Sequence, residues 1–493
     1  MINSDPVQLF PNSLGFFILL IIPLQVLYLF NQASSQKITA RSIYLFISSV
    51  VIFTAFFLIF SRATFIALFL IAIIFIYIQL SAAHKKKPYF KSKSIRSLLL
   101  VFICSFLLLS SVNLARSNNY DISTTENYLN LNASENTMSF FDRFNYMKGA
   151  FHLNLEYPIF GIGNSNFRFF YPKYQEVAFN SEHPYSFMMR LSSELGTPGA
   201  LIQTLFFVFL IYYFIKHSRK VEQKYYLGAL AFAMFGSSIQ AMMNFTINNV
   251  LNASILPLFV AIFISRFPIT KNKIQKGWVM FTSIFLTGIV ITLLIIPIHE
   301  LNTRKWNDLA QNNFEQKDYI GAANAYETAA EESWFKEDFQ VKSSEMYQLA
   351  SEESKLSEKQ IDDWLLKAEK STQTNPHYSE SWNNYGDALF ASGELESSIK
   401  MYEKALELDS HNYLEYYLDL IKAKHKNRSL SQVDIDLVKG NLEDYTNLLQ
   451  ENPYVLENSP NNAQAQSLYE YLLKEIVPED EELNSEYQEF LVI

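Results

Sequence analysis

Apolar residues gather in eight long runs in the N-terminal part of the chain, near 14–30, 42–60, 63–80, 97–112, 198–215, 226–243, 250–265 and 278–297. Their lengths approach the roughly 17–25 residues that a helix needs to cross a hydrocarbon core. A helix satisfies its own backbone hydrogen bonds, so the pattern predicts eight membrane-spanning helices. Beyond residue 298 the pattern changes to short amphipathic stretches, and no spanning run occurs. The predicted class is therefore all-α, a polytopic transmembrane domain of about eight spans followed by a helical-repeat tail.

Charge divides the chain at the same place and orients it. From residue 301 onward 17 Lys and Arg stand against 38 Asp and Glu, whereas residues 1–300 hold 23 against 11. Three short connectors are basic: His84 to Lys87 with Lys91, Lys93 and Arg96; Lys216, Arg219, Lys220 and Lys224; and Arg266, Lys271, Lys273 and Lys276. Lys and Arg are retained on the cytoplasmic side during insertion, and the weaker pair Lys37 and Arg41 fits the same alternation. Residues 113–197, the 244–249 turn and everything after 298 are then extracytoplasmic, in a multi-pass protein of the cytoplasmic (inner) membrane.

This alternation puts Met1 outside too, although the first apolar run lacks the basic flank and cleavage site of a signal peptide. That predicts an odd number of upstream helices missing from this sequence, with a short translocated N-terminus as the alternative. The single cysteine, Cys104, lies in an apolar run, which excludes an intrachain disulfide and a Cys-based metal site.

The tail carries a repeat. Trp306, Leu309, Ala310, Ala322, Tyr326 and Ala329 recur as Trp382, Tyr385, Gly386, Ser398, Tyr402 and Ala405. Small residues at those spacings let two helices approach closely while aromatics fill the space between pairs, and the spacing resembles the tetratricopeptide repeat. The two registers lie 76 residues apart, which predicts an enlarged middle repeat ending at Asn375-Pro376. Further amphipathic helices are expected over 414–426 and 433–449. The acidic end, Pro478 to Glu489, reads as a solvated tail. Such arrays offer a concave surface to a protein or peptide, which predicts an envelope protein as partner, against a plain spacer packed on the membrane domain.

The domains expected are 1–112, N-terminal transmembrane helices; 113–197, a large extracytoplasmic loop; 198–298, C-terminal transmembrane helices; 299–430, helical repeats; and 431–493, a helical then acidic tail. The loop holds the chemistry. Arg143 lies in a predicted helix. The string Tyr157-Pro158-Ile159-Phe160-Gly161-Ile162-Gly163-Asn164-Ser165-Asn166-Phe167 follows, where Pro and two glycines force a turn. Next come His183-Pro184-Tyr185-Ser186, Arg190, Glu194 and Leu195-Gly196-Thr197-Pro198-Gly199. No strand precedes Gly161 and Gly163, so they are not read as a nucleotide loop; the alternatives are a turn against a lipid diphosphate and a packing turn.

This order resembles the O-antigen ligase and polymerase family of envelope glycosyltransferases, over roughly residues 8–265. Pro11 to Gly15 and Ser61-Arg62 occupy corresponding places at the starts of two spans. The resemblance implies a membrane fold like that of the GT-C glycosyltransferases. It implies transfer of a glycan from a polyprenyl diphosphate carrier to an acceptor hydroxyl on lipid, glycan or protein at the outer face of the membrane, with no cofactor and no required metal. Its partners would be the carrier-linked glycan, the acceptor and the surrounding membrane lipids. No nucleic-acid partner is expected.

A leaving diphosphate concentrates negative charge that guanidinium groups bind through planar paired bonds. Arg62, Arg143 and Arg190 are the candidates. For Arg62 the alternative is snorkelling, and for Arg190 an i,i+4 ion pair with Glu194. His183 is the candidate to assist the acceptor hydroxyl, since histidine titrates near neutrality; His152 is a reserve. Tyr185 stands where a common family form, His-Pro-His-Asn, has its second histidine. That departure motivates a second reading, a non-catalytic membrane-anchored repeat scaffold. A transporter ranks below both, because the spans hold few charges.

Overall fold

The computed structural model describes residues 11–33, 39–59, 62–84, 92–117, 134–175, 181–184, 186–217, 224–242, 301–333, 336–354, 356–451 and 460–492. Their regular structure is entirely helical. The predicted spans near 250–265 and 278–297 lie outside the described residues. The chain divides into two compact units, Met1–Phe167 with His183–Thr270, and Arg168–Glu182 with Lys271–Ile493.

The first unit contains α1 (Pro11–Ala33), α2 (Ala40–Leu58), α3 (Arg62–His84), α4 (Ser92–Ser117), α5 (Ser134–Glu156), α6 (Phe187–His217) and α7 (Lys224–Met242). Helix α1 is apolar nearly all round because it is enclosed. Ile18, Ile22 and Leu29 pack with Phe53 and Phe56 of α2 and Val101 of α4. Leu19 meets Ala67 and Ile71 of α3, and Phe16 and Leu20 meet Ala233 and Ala241 of α7. Such all-round apolarity marks a buried helix, in contrast to a one-sided amphipathic one.

Among the described residues two helices are long and apolar enough to cross a membrane, Ala40–Leu58 and Ile95–Val112. Shorter apolar stretches run over Leu14–Leu29, Ala63–Ile73 and Gly228–Ala241, so the described residues carry fewer full-length spans than the eight expected. The outward faces support the membrane reading. Ile43, Ile47 and Val51 on α2, and Leu99, Ile103, Phe106 and Leu107 on α4, are large, apolar and exposed. A surface of that composition is at home in lipid.

Polar side chains tie these helices from inside, as hydrogen bonds do between membrane helices. Gln25 Nε2 donates to Ser48 Oγ at 2.7 Å and to Ser49 Oγ at 3.0 Å, joining α1 to α2. Ser105 Oγ donates to the Val50 carbonyl at 3.1 Å, joining α4 to α2. Thr39 starts α2 with a capping box formed with Ser42.

The second unit runs from a helix over 301–315 (α8) through α9 (Tyr319–Glu332), α10 (Lys336–Glu353), α11 (Glu358–Thr374), α12 (Ser379–Ser392), α13 (Leu395–Leu408), α14 (Glu415–Lys426), α15 (Gln432–Glu451) and α16 (Pro460–Tyr471) to α17 (Glu481–Val492). The repeat registers are seen in the packing. Ala310, Ala322, Ala329, Ser398 and Ala405 are wholly buried. A Cβ on Gly386 would lie 2.5 Å from the Tyr402 ring, so this helix pair closes only with glycine at that place.

The middle repeat is enlarged as expected, its helices α10 and α11 having 18 and 17 residues against 14 each for α12 and α13. Helix α11 ends at its C-cap Asn375, where Asn375-Pro376 was expected to stop it. The helices expected near 414–426 and 433–449 are α14 and α15. The acidic end departs from the expectation of a solvated tail. It forms α17, whose Leu483 and Phe490 are buried with Tyr469 and Leu472, because apolar residues recur at helical spacing among the carboxylates.

Candidate functional site

The site is built where the glycine turn meets the start of α6. Helix α5 presents Tyr146, Ala150 and Leu153 as a buried stripe. Arg143 lies one turn earlier on that same stripe, partly buried, on the helix that packs against α6. His152 is exposed, its ring edge-on to Phe151.

After α5 the chain turns sharply through residues with positive φ: Gly161 at 65°, Gly163 at 89° and Ser165 at 65°. Gly196, inside α6, has φ 72° and breaks the helix two residues before Pro198. The two breaks interlock. Ile162 N–H donates to the Ser193 carbonyl at 2.9 Å, Gly163 N–H to the Glu194 carbonyl at 2.9 Å, and Thr197 N–H to the Pro158 carbonyl at 2.8 Å. A Cβ on Gly161 would collide with the Glu194 carbonyl, and one on Gly196 would lie 2.5 Å from the Ile159 carbonyl oxygen. Glycine is needed at both for two reasons, the left-handed backbone and the absent side chain. Gly161 therefore packs directly on the backbone of α6.

This interlock fixes the polar groups above it. Asn154 Nδ2 of α5 donates to the Ser192 carbonyl at 2.7 Å, and Asn166 Nδ2 closes the turn onto the Ile162 carbonyl at 2.8 Å. Arg190 Nε donates to Glu194 Oε2 at 2.9 Å, the i,i+4 pair that the spacing allowed. Its Nη2 reaches Asn164 Oδ1 of the glycine turn at 3.4 Å. The Arg190 side chain is 15% exposed and that of Glu194 2% exposed. Burial raises the Glu194 pKa, and Arg190 opposes the shift. Glu194 Oε1 is buried with no hydrogen-bond partner among the described residues.

His183 lies in the segment before α6, followed by Pro184 and Ser186, both buried. The Ser186 carbonyl accepts from Arg190 N–H at 2.8 Å, which turns this segment into α6. Arg190, Glu194, Gly161 and Gly163 are therefore brought together, and Arg143 stands on the helix beside α6. Tyr185 lies outside the described residues, as does the side chain of Arg62, which begins α3. Asn154 and Asn164 were not singled out from the sequence; Asn164 sits within the turn motif and Asn154 three residues before it.

A second polar node lies among α1, α3 and α7. Gln240 Nε2 donates to Thr64 Oγ1 at 2.8 Å, and Gly15 packs directly on Thr64. Helices α1 and α3 thus meet near their starts, joined to α7 through a glutamine that no motif marked.

Among the described residues the fold and site define an all-helical membrane protein with a repeat unit and a structured loop in which arginine, carboxylate and glycine converge. Residues 47–204 match the family model described as O-antigen ligase, and residues 379–412 match a tetratricopeptide repeat model. The chain therefore carries a region similar to the O-antigen ligase family, with a tetratricopeptide repeat C-terminal to it. No curated protein matches it. Among solved structures, a thermophilic TPR protein from Thermus thermophilus is similar at 13% identity, over 39% of this chain and 100% of its own, with a TM-score of 0.24.

Proposed function

We propose that this protein transfers a glycan from a polyprenyl diphosphate carrier to an acceptor hydroxyl on lipid, glycan or protein, at the outer face of the cytoplasmic membrane. The observation that carries this reading is the Arg190 guanidinium, held by Glu194 and Asn164 on the interlocked glycine turns. A cation oriented before substrate arrives is suited to charge that develops on a leaving diphosphate, because no reorganisation is needed at the moment of reaction. Arg143, on the α5 face toward α6, and Arg62, at the start of α3, complete the set of guanidinium groups.

In this mechanism the acceptor hydroxyl attacks the anomeric carbon, the bond to the carrier phosphate breaks, and the diphosphate leaves with the electron pair. His183 accepts the hydroxyl proton or orients the hydroxyl. Glu194 positions Arg190, and its buried Oε1 is available to accept from a substrate hydroxyl. The loop and repeat unit face the extracytoplasmic compartment.

The test is complementation of a deletion strain with His183→Ala or Arg143→Ala, scored as surface glycan profile with membrane accumulation of the protein checked. Loss of the transferred glycan with normal accumulation is expected. Undiminished transfer in both variants overturns the assignment and favours the scaffold that Tyr185 suggests, in which deletion of the gene leaves glycans unchanged.

A further inference from the structure

The second unit includes a piece of the ligase region. Residues Arg168–Glu182 belong to it together with the repeats, although in sequence they lie between the glycine turn and His183. Its described residues 168–175 are held by the repeats. Arg168 Nη2 pairs with Asp338 Oδ2 of α10 at 2.9 Å, and its guanidinium lies 4.4 Å above the Phe169 ring. Phe169 meets Tyr378 with ring centroids 4.8 Å apart, and Phe170 stacks on His377 at 3.9 Å. A single 3₁₀ turn over Tyr171–Tyr174 buries Tyr171 and Pro172. Gln175 is 6% exposed. Aromatic stacking and one ion pair on a largely buried segment form a specific dock.

A cavity of about 240 Å³ lies beside the segment, between Arg168, Glu182, Tyr378, Glu380 and Tyr413. Its central carboxylate is already satisfied, because Tyr378 Oη donates to Glu380 Oε2 at 2.7 Å and Tyr413 Oη donates to Oε1. Glu380 is therefore spent on the two tyrosines beside the strap.

We infer that the repeat array works in cis, with residues 168–175 as its occupant and Arg168 and Asp338 as positioning residues for the transferase loop. The strap joins Phe167 directly to His183 in sequence, so holding it restricts the backbone on both sides of the candidate site. The array is then a clamp on the loop, required for transfer. Its role in transfer rests on the function proposed above; the docking itself does not.

The experiment uses the full-length chain in detergent, with Cys104→Ala removing its single cysteine and Gln175→Cys as reporter. Maleimide labelling at position 175 is expected to be slow. Asp338→Arg sets two arginines against each other and is expected to raise the rate about tenfold through local opening. Arg168→Asp combined with Asp338→Arg restores the pair with reversed charges and brings the rate back. Fast labelling with the native pair, or a rate indifferent to Asp338→Arg, overturns the dock.

Transfer is read in parallel with native Gln175 and Cys104. Asp338→Arg is expected to reduce it strongly with normal membrane accumulation, and the swap is expected to recover it. Normal transfer with a released strap overturns the clamp while leaving the proposed function intact. A chain that docks as described yet transfers no glycan in its native form overturns the proposed function instead, and with it the clamp's role in transfer.

Discussion

Gly161 and Gly196 pack backbone to backbone, with Gly161 against the Glu194 carbonyl and Gly196 against the Ile159 carbonyl, both at positive φ. That relationship brings Asn164 of the turn within reach of Arg190 on α6. Gly161→Ala and Gly196→Ala are each expected to cost about 1–3 kcal/mol from the backbone conformation alone, with the collision added. The measurement is thermal unfolding in detergent alongside membrane accumulation. Either alanine variant with native stability would show that the interlock does not hold the site.

The Arg190–Glu194 pair separates structure from chemistry. Both side chains are largely buried, so removing one partner leaves an uncompensated charge, a loss of about 3–5 kcal/mol for such pairs. Glu194→Leu alone should therefore accumulate poorly. Arg190→Met combined with Glu194→Leu should recover accumulation but not glycan transfer. Recovery of both would make the pair a packing feature with no part in the reaction.

In the repeat unit, Gly386→Ala places a methyl group 2.5 Å from the Tyr402 ring. Tyr402 also donates to Asp387 Oδ1 at 2.8 Å, so the ring cannot withdraw without breaking that bond. Overpacking of this kind typically costs about 1–3 kcal/mol. Melting of the full-length variant against the native chain checks the loss; an unchanged melting temperature would show that the ring yields without cost.

Stability of the repeat unit should fall as pH rises from about 4.5 to 7. Burial, with Glu380 nearby, pushes Glu345 up to about 7 from its ordinary 4.5, against the pull of Lys342. Across that window the folded chain keeps a proton that the unfolded chain has lost, so unfolding releases protons and higher pH favours it. Glu345→Gln should flatten this slope and raise the melting temperature at pH 8 while changing little at pH 4. An unchanged slope would place the ionised carboxylate in a better solvated setting than its burial indicates.

Much of this was legible along the chain because it depends on periodicity. Apolar runs marked α2 and α4, and the spacing of Ala310, Ala322, Gly386 and Ala405 marked where helices approach closely. Arg190 and Glu194, four apart, could be paired without knowing what surrounds them, since a helix brings i and i+4 to one face. The acidic end was misread because its charge count concealed Leu483 and Phe490, whose burial depends on Tyr469 and Leu472 packing against them.

The sequence by itself therefore determined helix content, the repeat register and the residue types at the site, all consequences of local spacing. Only the tertiary structure decided that the turn after Tyr157 closes on Glu194 and Gly196, which local periodicity does not record. It also decided that residues 168–170 pack with helices more than 150 positions later, a match of aromatic faces and charge that exists only once both surfaces have formed.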